Sequence, residues 1–135
     1  MDRIEATKIQ ITTTCAISTL LWHYRSDFSN NDRSLKALIH EFYHVAQYQR
    51  LGFKNFGDRY VTDELVFGPS LDQGFDRNAV YRYDKRSRTF DNETIEGQAQ
   101  TAGDYAALRA ANNPSTLAER RRLEARLKGS GIYGF

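Results

Sequence analysis

Two different rhythms of apolar and polar residues run along this chain, and they mark its elements. Residues 8–17, KIQITTTCAI, put Ile9, Ile11, Thr13, Cys15 and Ile17 on one side of an extended backbone, a β-branched, strand-like pattern. The turn-forming cluster SNNDRS at 29–34 ends in two helix-cap residues, Asp32 and Ser34. From there the period becomes three and four: Leu35, Leu38, Ile39, Phe42, Val45, Ala46 and Gln49 share one stripe. This predicts a helix over 35–51 that packs its stripe in the core and ends at Gly52. Residues 53–90 read as irregular, with short strands expected at 59–62, 64–67 and 80–83 and a turn at Gly68-Pro69. A second helix is expected over 93–111, capped by Asp91 or Asn92 and stopped by Asn112-Asn113-Pro114. Its stripe of Ile95, Ala99, Ala102 and Ala106 is small enough to admit a close neighbour. A third helix spans 116–128 behind a Thr116-x-x-Glu119 capping box.

The chain has 135 residues, enough for one core and too few for two, so residues 1–135 read as a single domain. The mixture of helices and short strands gives an α+β class with a small sheet. A composition of 40% hydrophobic and 27% charged residues excludes a disordered chain, and a net charge of +2 does not ask for nucleic acid. The basic run at 119–128 reads as a solvated helix face carrying two glutamates of its own. One cysteine, Cys15, rules out an internal disulfide. No signal peptide or membrane-length apolar run is visible, so the chain is expected to be made in the cytoplasm as a soluble protein or to be a domain of a larger one.

Chemistry enters with LIHEFYHVAQYQ at 38–49, which contains His-Glu-x-x-His. Histidines four apart share one helix face and can reach one tetrahedral ion, while the glutamate between them lies beside it. From background usage, such a motif arises by chance in roughly one chain of this length in two hundred. His40 and His44 are therefore expected zinc ligands, and Glu41 the general base for a water acidified by Zn²⁺. His40, His44 and Tyr48 lie off the core stripe. No histidine follows His44, so the third ligand must be a carboxylate or the upstream His23. Glu96, on the alanine-lined helix, is the preferred choice, ahead of Glu93, Asp63 and Glu64. Asp104, two turns after Glu96, and Gln100, one turn after it, are candidates to hold the ligands from behind. An oxyanion donor would come from Tyr81, Tyr83, Tyr105 or His23, with Tyr83 and Tyr105 taken as catalytic candidates.

The run IHEFYHVAQYQRLG, the pair of tyrosines in Tyr81-Arg-Tyr83, and IEGQAQTAGDYAAL together resemble small bacterial zincin-like domains of the gluzincin type. Such domains are associated with type VI secretion and contractile-injection proteins, some of them Vgr-related. His40, Glu41 and His44 match the first motif, Val45, Gln47 and Gln49 its tail, and Glu96, Ala99, Asp104 and Tyr105 the second. The likeness spans about residues 35–110. Phe42-Tyr43 replace less bulky residues, Gly97 stands where glutamine is common, and Gln100 replaces an aspartate. The resemblance implies a compact zinc metallopeptidase fold and an effector or toxin-type domain with a peptide or protein substrate. It also implies an immunity or secretion-machinery partner and export by a specialised secretion system. Two rival readings stand beside it: an interaction module that kept the metal and lost turnover, and a metal-dependent effector acting on cell-wall amides or nucleic acid.

Overall fold

A computed structural model describes residues 32–70, 74–86 and 88–135. The strand expected at 8–17, Cys15 and His23 lie outside the described residues. Helix α1 runs Asp32–Phe67, a two-residue ladder pairs β1 (Pro69–Ser70) with β2 (Gly74–Phe75), and α2 (Ile95–Ala111) and α3 (Leu117–Leu127) follow. Single 3₁₀ turns at Arg77–Tyr81, Tyr83–Lys85, Phe90–Asn92, Pro114–Thr116 and Ile132–Gly134 connect them. The main packing interface lies between α1 and α2.

This corrects the expected α+β class. Among the described residues the fold is helical, and the one ladder, Pro69 with Phe75 and Ser70 with Gly74, is too short to make a layer. The strands expected at 59–62 and 64–67 lie inside α1. Val61, Thr62 and Val66 gave that stretch a strand-like composition, but Val61 and Val66 are 56% and 61% exposed and decide nothing. The inward residues Phe56, Arg59, Asp63 and Phe67 recur at helical spacing, and tertiary contacts override the local preference. At 80–83, Val80 and Tyr83 are both buried three residues apart, the period of the 3₁₀ turns that hold them. Asp76 starts the first turn by accepting from the Asn78 amide.

Gly52 does interrupt a helix, but the chain does not leave it. At φ 76°, ψ 164°, a backbone region restricted to glycine, the residue bends α1 and helix resumes at once. The predicted core stripe is also corrected. Phe42 is 59% exposed, and Val45, Ala46 and Gln49 are exposed with it. The side bearing His40, His44 and the buried Gln47 is the one turned inward.

Helix α2 keeps its expected stripe, with Ile95, Ala99, Ala102 and Ala106 all buried. Its cap is Thr94, whose hydroxyl accepts from the Gly97 amide; Asp91 and Asn92 belong to the preceding 3₁₀ turn. At α3 the expected capping box does not form. Thr116 Oγ1 donates back to the Asn113 carbonyl, and Glu119 pairs with Arg122. Leu123 and Leu127 join Tyr83, Phe90 and Tyr105 in the apolar core. Beside it, fully buried Glu93 is held by Arg86 and Arg126, each at 2.7 Å, which fastens α3 to the loop before α2.

Helices α1 and α2 approach closely at Gly103, where an added Cβ would stand 2.6 Å from the Lys36 carbonyl oxygen. Gly103→Ala should therefore destabilise, although alanine is the better helix former by about 1 kcal/mol. A backbone atom cannot swing away, so overpacking at about 1–3 kcal/mol wins. A thermal melt should show a lowered Tm; an unchanged or raised Tm would mean that the helices separate freely.

Candidate metal centre

The inward face of α1 and the first turn of α2 meet at three side chains. His40 Nε2 lies 3.0 Å from Glu96 Oε2, His44 Nε2 3.1 Å from the same oxygen, and the two Nε2 atoms 3.0 Å apart. The helical repeat supplies the first pair. The small stripe of α2 lets Glu96 come down onto it, at the end of the helix where the dipole favours a carboxylate.

Burial alone would raise the Glu96 pKa, but hydrogen bonds and charge from His40 and His44 outweigh it and hold the carboxyl down to about 2. Burial alone would lower His44. The hydrogen bond and charge of Glu96, then Gln47 and Glu41, reverse this and raise it. Each partner thus favours the charged form of the other.

Two imidazoles and one carboxylate form a donor set suited to zinc. Ligand atoms about 2.0–2.1 Å from a tetrahedral ion stand about 3.3 Å apart, so the triangle needs to open by only about 0.3 Å. Tyr81 stacks on His40 at 6.0 Å between ring centroids, and Phe56 meets the His44 ring edge-on at 6.2 Å. Phe56 follows the Gly52 bend by one turn, so the bend brings the later part of α1 back beside the site. Glu41 is half-buried, and among the described residues no hydrogen bond engages its carboxylate. Its charge is felt at both His44 and Tyr81.

The other expected site residues go elsewhere. Asp104 pairs with Lys36 at 2.5 Å and accepts from Tyr83 at 2.9 Å, so it holds neither histidine. Tyr83 is spent on that bond, and Tyr105 donates to Glu124 and packs on Tyr133 and Phe135. Both hydroxyls thus donate to carboxylates other than Glu96. Gln100 makes no hydrogen bond to either histidine. Glu93 is taken by arginines, and Asp63 accepts from the Ile95 amide at 2.7 Å. The side chain that backs a candidate ligand is instead Gln47, 2.8 Å from His44 Nδ1, with Gln98 behind it. Their sequence signal was faint: Gln47 sits one turn past His44, and Gln98 two residues past Glu96. Phe56 carried no local signal, because only the bend brings it near.

No family model, curated protein or solved structure matches the chain. No helix among the described residues is long and apolar enough to cross a membrane.

Proposed function

We propose that this domain is a zinc-dependent hydrolase of peptide or related amide bonds, in line with the gluzincin-like sequence pattern. The observation that carries the reading is the convergence of His40, His44 and Glu96 to within 3.0–3.1 Å from two helices, with Glu41 one residue after the first histidine. His40, His44 and Glu96 would hold the ion. Zinc there would supply Lewis acidity to a water and to a carbonyl oxygen. Glu41 takes the proton from the attacking water and returns it to the leaving amine.

Tyr81, rather than Tyr83 or Tyr105, is the hydroxyl suited to the developing oxyanion. Burial, then the charge of Glu96, pushes it well above the ordinary tyrosine range, so it keeps its proton to donate. Tyr81 and Phe56 give the site apolar walls on two sides, which strengthens every charge interaction between them. Type VI effector status and a secretion or immunity partner extend this reading and rest on the sequence resemblance alone.

Metal titration of the purified chain with a peptide-library cleavage assay tests the reading. The expected result is one zinc per chain and cleavage that a chelator removes and zinc restores. A chain that binds no zinc, or binds it and cleaves no amide, would sink the proposal.

A further inference from the structure

Behind His44 lies a hydrogen-bond chain whose direction is fixed at its far end. Gln98 Nε2 donates to the carbonyl oxygens of Phe90 at 2.8 Å and Asp91 at 3.2 Å. A backbone carbonyl can only accept, so this end of Gln98 is its amine and the other end, Oε1, is an acceptor. Gln47 Nε2 donates to that oxygen at 2.9 Å and to the Ile95 carbonyl at 3.0 Å. Its own Oε1 is thereby turned to His44 Nδ1, 2.8 Å away, where it can only accept. Both glutamines are shut off from solvent, at 1% and 0% exposure, so no water competes for these bonds. Three backbone carbonyls thus dictate which nitrogen of His44 carries hydrogen.

We propose that Gln47, aimed by Gln98 and the Ile95 carbonyl, is a positioning residue that locks neutral His44 as its Nδ1–H tautomer and leaves the Nε2 lone pair for the metal. The inference rests on the zinc reading and deepens it. A neutral imidazole in water prefers the opposite tautomer, so the lock works against the ring's own bias. It also leaves a bare nitrogen facing Glu96 Oε2 and His40 Nε2. Neutral His40 can bring one hydrogen to that triangle, which leaves an acceptor pair opposed. A proton or a metal cation among the three atoms removes the conflict, and above the His44 titration the chain leaves Nε2 bare for the metal.

The test is ¹⁵N NMR of the histidine rings in metal-free protein, at a pH where the spectrum itself shows the rings neutral, followed by zinc titration. Wild-type His44 should show a protonated Nδ1 and a bare Nε2. In Gln47→Met the ring should shift toward Nε2–H and zinc affinity should fall about 10–100-fold. A wild-type ring already protonated on Nε2, or a folded Gln47→Met protein with unchanged tautomer and affinity, would overturn the assignment. If Gln47→Met does not fold, the wild-type spectrum alone decides. An Nδ1–H ring in a protein that binds no zinc would leave the hydrogen-bond lock standing and remove the metal reading.

Discussion

Glu41→Gln should leave zinc binding at one ion per chain and lower amide hydrolysis by about 10²–10⁴-fold, the usual contribution of a positioned proton acceptor. The two effects separate because Glu41 is not among the converging ligand atoms. Glutamine keeps the size of the side chain and loses only its basicity. Retained turnover would remove Glu41 as the base. Loss of zinc would mean that the residue supports the ligands instead.

Glu96→Ala should cost more than about 100-fold in zinc affinity, since even partners behind a ligand are worth roughly 10–100-fold. Its second effect is on pH. In the metal-free protein His44 is raised above 6.5, so its contribution to stability is fully present below that value and fades as pH rises through the folded pKa. Glu96 is lowered from 4.5 to about 2, so its contribution is present above 4.5 and fades as pH falls through about 2. Both contributions coexist between 4.5 and 6.5, where metal-free wild type should show its advantage over the variant. Removing the carboxylate should also drop the His44 pKa, readable by ring NMR. Zinc competes with protons for His44, so wild-type affinity should rise with pH through that same titration. An unchanged affinity in Glu96→Ala would move the third ligand elsewhere.

The convergence of the three candidate ligands was more legible in the sequence than the fold. Residue types four apart on a helix need no tertiary information to share a face, so His40 and His44 could be read directly. The alanine stripe of 95–106 likewise announced a helix able to come close, and the structure brings Glu96 to the histidines. What could not be read depends on the partner surface. Phe42 and Val45 looked like core residues because a stripe shows that a helix has two faces, not which one is covered. Gly52 looked like an end because a left-handed glycine marks a bend without saying whether helix resumes. Asp104 and Tyr83 carried plausible chemistry but found each other. Gln47 and Gln98, being neutral amides, gave no charge pattern to notice, and their meaning appears only when the backbone carbonyls around them are placed.

The bend at Gly52 also ties the site into a circuit. Beyond it, Asp63 accepts from the Ile95 amide and Arg59 donates to the Glu93 carbonyl, so the far stretch of α1 grips the very turn that carries Glu96. Travelling from His44 through the bend, across to Ile95 and on to Glu96 returns to the starting point. The three converging side chains are therefore braced from two directions by a single bent helix, so the spacing between them is held around the ring instead of by one contact.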